Sequence, residues 1–225
     1  MNITAFSIGI LSFHWYGIII AIAITVGLAA SLWQAKLHNA PLEPLFDFSL
    51  CVIPVSLIFA RVFYVVSNWS LYQLNLLESL YVWHGGLSIY GAIIGFFFAV
   101  YFFTHLNNLS FLYWADILSP GLALGQAIGI WANFVNQEVF GFPTDVKWGI
   151  YIDYAFRPAG FEQYDYFHPI FLYESGWLLA TFLLLTICGL SYRKNYYNTQ
   201  GKLFLCYIIL FLIGHFSFSY FTLSN

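Results

Sequence analysis

Charge is what this sequence has least of. Only 8% of its residues are Asp, Glu, Lys or Arg, against 61% hydrophobic. A water-exposed surface takes roughly 25–35% charged residues, so the chain cannot cover itself in water. Lys and Arg together number 7, with no basic patch of the kind that grips nucleic acid. The net charge of −3 singles out no class of partner. Cysteine is scarce too. Cys51, Cys188 and Cys206 show no CxxC spacing and no histidine at metal-ligand spacing, so they read as buried free thiols. No Lys or Arg precedes the first apolar run, so the N-terminus does not read as a cleaved signal peptide. No internal repeat and no soluble domain is visible.

What is present is a series of apolar runs near 20 residues long, the length of a spanning helix, without the alternation of barrel strands. They predict an all-α membrane protein: a polytopic bundle of about six transmembrane helices forming a single integral membrane domain, 1–225. The expected spans are 13–33, 46–66, 86–105, 111–130, 168–190 and 203–221. The one long stretch outside them, 131–167, carries aromatics, acids, Pro143 and Pro158. That composition suits a small structured cap at the outer membrane interface.

Orientation follows from basic residues. Lys36, Arg193, Lys194 and Lys202 lie in loops on one side, Lys147 and Arg157 in loops on the other. The first side is expected to be cytoplasmic, with both termini outward. Tyr16, Arg61, His84, Asn133, Asn136, Glu138, His168, Glu174 and His215 then fall toward the outer ends of their segments. A charge at mid-bilayer costs about 2.5–3.5 kcal/mol on insertion scales, so this clustering predicts an outward-facing polar cavity within the bundle. Asp116 is the exception, near the cytoplasmic end of the fourth segment.

Three motifs carry the chemistry. HGGLSIYG (84–91) places a proton-handling histidine beside Gly85 and Gly86, where backbone can approach a ligand closely. The bland reading is an interfacial histidine, with Gly86, Gly91 and Gly95 as close-packing positions between helices. GIWANFVNQEVFG (129–141) offers Asn133, Asn136, Gln137 and Glu138 directly after a spanning helix. Amides and a carboxylate there suit the hydroxyls of a glycerol headgroup, or else cap a helix end in a solvated loop. HPIFLYESG (168–176) puts proline in a first helical turn, with His168 before it and Tyr173 and Glu174 inside the bundle. Glu174 paired with Arg61 is the bland reading of those two charges. Trp15, Trp69, Trp83, Trp114, Trp131 and Trp148 lie near segment ends and read as an aromatic belt.

In shared order and spacing these motifs resemble the bacterial prolipoprotein diacylglyceryl transferase family over nearly the whole chain. HWYG (14–17) and ARVFYV (60–65) resemble its first and second helices, and HGGLSIYG its best-known signature. The run 129–141 aligns with G-R-x-x-N-F-x-N-x-E-x-x-G, followed by the matching PTD (143–145) and WG (148–149). HPIFLYE aligns with H-P-S-Q-L-Y-E.

The resemblance implies transfer of the diacylglyceryl group of phosphatidylglycerol to the cysteine thiol of a lipoprotein precursor's signal peptide, at the outer face of the bacterial inner membrane. A thioether forms, glycerol-1-phosphate leaves, and no cofactor is implied. It makes His84, Tyr16, Asn133 and Glu138 catalytic candidates: His84 takes the thiol proton or orients the lipid, and the others position the headgroup. Arg61, Gly85, Gly86, Asn136, Gly141, His168, Tyr173, Glu174 and His215 would contact that headgroup.

The sequence also departs from the family pattern. Ile130 stands where the family has arginine. In GHFSFSYFT (214–222), His215, Ser219 and Thr222 replace the Arg, Glu and Arg of G-R-F-x-x-E-x-x-R. Ile170 and Phe171 replace a polar pair, and the family's last helix is expected to have no counterpart. Two readings therefore stand: an active transferase, or an altered or inactive paralogue that binds lipid or a membrane partner. A channel or transporter is disfavoured by the lack of repeats and of paired broken helices.

Overall fold

The computed structural model describes residues 4–8, 11–73, 75–81, 86, 88–192 and 200–223. Strands β1 (Thr4–Ile8) and β2 (Leu11–His14) form an antiparallel hairpin ahead of helix α1 (Trp15–Leu37). The expected span at 13–33 therefore begins as strand and turns helical two residues later. Helix α2 (Glu43–Ser67), the single turn α3 (Trp69–Tyr72) and a 3-10 turn (Leu76–Leu80) lead to α4 (Ile89–Leu106). Next come α5 (Phe111–Gly129) and α6 (Trp131–Val135), then strands β3 (Ile150–Tyr151) and β4 (Tyr166–Phe167). The chain closes with α7 (Ile170–Tyr192) and α8 (Lys202–Tyr220).

The protein is an all-α, multi-pass membrane protein. Among the described residues five helical stretches are long and apolar enough to cross a membrane: α1, α2, the run Phe111–Val135 through α5 and α6, Ile170–Ser191 of α7, and α8. The sixth apolar helix, α4, has 18 residues, or about 27 Å at 1.5 Å per residue. Leu50, Ile58 and Val66 of α2 are all exposed. Such a surface suits lipid better than water.

The chain divides into two compact units, residues 1–39 with 115–225, and residues 40–114. In the first, small residues bring α1 and α5 together. A Cβ added at Gly27 would lie 2.8 Å from the Gly121 carbonyl oxygen, and one at Gly121 would collide with Ser31 and Gly27. Helices α7 and α8 share a core of Leu185, Leu203 and Tyr207 with Ala123 of α5. The Trp177 indole of α7 donates to the Leu210 carbonyl at 2.9 Å and packs against Gly214.

In the second unit α2 packs along α4. Phe48 meets the edges of Phe96 and Phe103, with centroids 6.3 and 5.7 Å away. A Cβ at Gly91 would be 2.5 Å from the Phe59 carbonyl oxygen, and one at Gly95 2.6 Å from Phe59 Cβ. The close-packing reading of these two glycines therefore holds.

Two smaller expectations need correction. The three cysteines are free, but Cys188 and Cys206 are only partly buried and Cys51 is exposed. The 100° step of the helix turns it outward beside buried Val52. Trp114 is no belt residue, because it is only 5% exposed.

Candidate functional site

The first unit gathers most of the candidate residues around the turn that follows α6. The chain bends at Ile130, whose backbone stays helical (φ −65°, ψ −19°) between α5 and α6. Trp131 fixes the bend by donating its indole N–H to Ser175 Oγ at 3.0 Å, and Ser175 donates to the Ala127 carbonyl at 2.8 Å. This joins α5, α6 and α7 at one point.

Beyond α6 the chain folds back sharply. The Glu138 amide donates to the Asn133 carbonyl at 2.9 Å. Gln137 and Val139 both adopt positive φ, 54° and 52°. For a β-branched residue this is a strained conformation, and it flanks Glu138 directly. Gln137 is held by its side chain, since Oε1 accepts the Asp153 amide at 2.9 Å. Asn136 Nδ2 donates to Glu138 Oε1 at 3.2 Å, while Asn136 Oδ1 is buried and accepts no hydrogen bond from the described residues. Glu138 itself is exposed. Its charge lies within Coulombic reach of the Tyr16 hydroxyl at the start of α1. The turn thus presents the Glu138 carboxylate, with the Asn136 amide bonded to it and the Tyr16 phenol of α1 under its charge; a carboxylate and a phenol are groups able to grip alcohols.

Gly141 connects this turn to α7. Its amide donates to the His168 carbonyl at 2.9 Å, and the His168 amide returns a bond to Phe142 at 3.1 Å. A Cβ at 141 would meet His168 Cβ at 2.9 Å and Ile170 Cδ1 at 3.0 Å. Glycine stands there because two backbones approach closely. Phe140, Ile152 and Phe167 form a small core behind it, and Leu223, just past α8, donates its amide to the Phe140 carbonyl at 2.9 Å. Arg157 stitches the segment together from within, donating to the Ile152 and Glu162 carbonyls and pairing with Asp165 at 2.6 Å.

His168 and Tyr173 meet as the sequence spacing allows. Tyr173 Oη lies 3.1 Å from His168 Nδ1 and accepts the Trp148 indole N–H at 2.8 Å. Glu174 is half-buried on the next position of α7, and His215 is exposed on α8, stacked on Phe211 at 5.8 Å. The sequence reading assigned Trp131 and Trp148 to a belt and did not single out Ser175. Both indoles make specific bonds here, and the signal available was the WG pair at 148–149.

Arg61 and Gly86 belong to the second unit, so Arg61 and Glu174, expected as a pair, lie in different units. Arg61 is buried and hydrogen-bonded to backbone carbonyls of residues 78–86. Gly86 has φ +77°. His84, Gly85 and Trp83 lie outside the described residues.

A model of the family described as prolipoprotein diacylglyceryl transferase matches residues 3–223. The phosphatidylglycerol--prolipoprotein diacylglyceryl transferase of Thermosynechococcus vestitus is 39% identical over 209 residues, covering 93% of this chain and 77% of that protein. Its namesake from Trichormus variabilis is 38% identical over 208 residues, covering 92% and 74%. The Listeria welshimeri protein of the same name is 37% identical over 214 residues, covering 94% and 76%. With motifs, helices and relatives agreeing along the same residues, the chain belongs to the prolipoprotein diacylglyceryl transferase family.

Proposed function

We propose that this protein transfers the diacylglyceryl group of phosphatidylglycerol to the cysteine thiol of a lipoprotein precursor. The observation that carries the reading is the family match across residues 3–223. The C–O bond between the glyceryl carbon and the phosphate breaks, and a C–S bond forms. The thiol loses its proton, and the departing glycerol-1-phosphate carries the electron pair of the broken bond. The thiolate is the nucleophile in such a step, so a base must take its proton. His84 is assigned that role or the orientation of the lipid. Asn133, Glu138 and Tyr16 position the headgroup, supported by the folded-back turn after α6. Asn136, Gly141, His168, Tyr173, Glu174 and His215 are the further headgroup candidates of the first unit; Gly85 and Gly86 are those of the second. The active face is outward in a bacterial inner membrane, where the signal peptide and phosphatidylglycerol meet, and 131–167 forms its interfacial cap.

The test mixes the purified protein with phosphatidylglycerol vesicles and a lipobox peptide. Release of glycerol phosphate together with a lipidated peptide, both lost in His84→Ala, is the expected result. A second reading, a catalytically altered relative that binds lipid or a membrane partner, is favoured by Ile130 and His215 standing where family arginines stand. Vesicle binding without release, beside an active relative under the same conditions, would establish that second reading.

A further inference from the structure

Arg61 is a buried cation, 7% exposed, set inside the apolar helix α2. A charge in that place is expensive unless polar groups converge on it. Among the described residues four carbonyl oxygens do. Nε donates to Ser79 at 2.8 Å, Nη1 to Gly86 at 2.9 Å, and Nη2 to Glu78 at 2.8 Å and Tyr81 at 3.2 Å. The Tyr72 ring covers the guanidinium at 5.3 Å. Only a planar fork of donors reaches acceptors spread this way; a lysine ammonium is a single point.

The acceptors are arranged in a telling order. Glu78, Ser79 and Tyr81 precede residues 82–85, and Gly86 follows them. One guanidinium therefore holds the chain on both sides of the tetrapeptide that includes His84. The far side is tightly specified. A Cβ at residue 86 would lie 2.5 Å from the Tyr64 ring and 2.9 Å from Arg61 Nη1, and φ there is +77°. The Ser88 amide then donates to the Ala60 carbonyl at 3.0 Å, tying the same stretch to the residue before Arg61.

We infer that Arg61 is a positioning residue, not a ligand of the lipid phosphate: it fixes Tyr81 and Gly86, the residues between which His84 is carried. The inference deepens the proposed transfer reaction and rests on it. An arginine that grips phosphate presents its fork to the ligand, whereas this one turns its fork to the backbone of its own loop. A positioning residue changes turnover, because a misplacement of about 1 Å costs on the order of a hundredfold in rate. A headgroup ligand changes the KM for phosphatidylglycerol.

The experiment uses full-length protein carrying Arg61→Lys, with Gly86→Ala as a second variant that disturbs the same contact from its other end. Transfer kinetics on phosphatidylglycerol vesicles are read beside amide hydrogen exchange over residues 76–91. The expected result for Arg61→Lys is kcat lower by about tenfold or more with KM for phosphatidylglycerol within about twofold, and for both variants faster exchange confined to 76–91. A raised KM with kcat preserved in Arg61→Lys, or unchanged exchange in both variants, overturns the inference. Should wild-type protein show no transfer, the functional reading fails, and the exchange comparison still decides whether Arg61 holds the loop.

Discussion

Asp116 closes the amino end of α8: its Oδ2 accepts the Gly201 amide at 2.7 Å, and its Oδ1 accepts the Phe204 amide at 2.7 Å. Gly201 takes φ +85° to present that amide. The carboxylate is only 1% exposed, so water cannot replace it. Asp116→Ala strands two buried donors, at about 1–3 kcal/mol each, while Asp116→Asn keeps one accepting oxygen. Thermal unfolding followed by tryptophan fluorescence should rank the proteins wild type, Asn, Ala. The KM for phosphatidylglycerol should stay unchanged in both variants, as Asp116 holds a helix end and no candidate headgroup residue. Equal stability of Ala and wild type would show that the cap contributes nothing.

This contact also marks the limit of what could be read from the sequence. Apolar run length gave the long apolar helices, because a bilayer imposes a length on any chain that crosses it. The same logic placed Tyr16, Asn133, Glu138 and His168 near segment ends. It left Asp116 without a role, since its partners are backbone amides 85 and 88 residues away. Backbone groups carry no residue signature. Arg61 is the same case in reverse, a side chain legible as a charge whose acceptors among the described residues are four carbonyls. Trp148 was legible as an interfacial aromatic and as part of the WG pair, but its bond was not, because nothing in its spacing from Tyr173 signals a hydrogen bond across 25 residues.

Tyr173 is the pivot of a three-residue chain, and its two neighbours should respond unequally. Tyr173→Phe removes the partner of His168 Nδ1 and of the Trp148 indole together. Loss of about 1–3 kcal/mol is expected, with a weaker apparent affinity for phosphatidylglycerol vesicles. Trp148 is 59% exposed, so its N–H finds water when the tyrosine hydroxyl goes. Trp148→Phe should therefore cost little, within about 0.5 kcal/mol. Denaturant unfolding of the two variants checks the order. A larger loss in Trp148→Phe would mean that the indole packs rather than bonds.

The positive φ of Val139 stores strain beside Glu138. Left-handed backbone costs an L-residue roughly 1–2 kcal/mol, and glycine gives back roughly 0.5–1 kcal/mol through its unfolded-state entropy. Val139→Gly should leave stability level or raise it slightly, while transfer falls because Glu138 is no longer held by a rigid neighbour. Gln137→Gly is the control. Relief of strain there also removes the side-chain acceptor of the Asp153 amide, so that variant should lose stability. Melting temperatures and initial rates separate the two. A clear stability loss in Val139→Gly would place the value of Val139 in packing.

Ile130 poses the sharpest functional question, because the family pattern has arginine at that position. Its backbone is ordinary helix at the α5–α6 bend (φ −65°, ψ −19°), so the bend accepts an unbranched side chain without strain. The side chain is half-buried, which leaves room for the head of an arginine to extend outward while its stem covers the same apolar surface. A transition-state charge contact is worth about 2.7–4 kcal/mol. If phosphate departure limits this chain, Ile130→Arg should raise kcat on phosphatidylglycerol by at least about tenfold. The gain should vanish in the Ile130→Arg, His84→Ala double variant, since phosphate stabilisation has nothing to act on without proton removal. An unchanged rate in Ile130→Arg, with the variant folded, would mean that phosphate is stabilised elsewhere in this chain and that isoleucine at the bend is part of its working design.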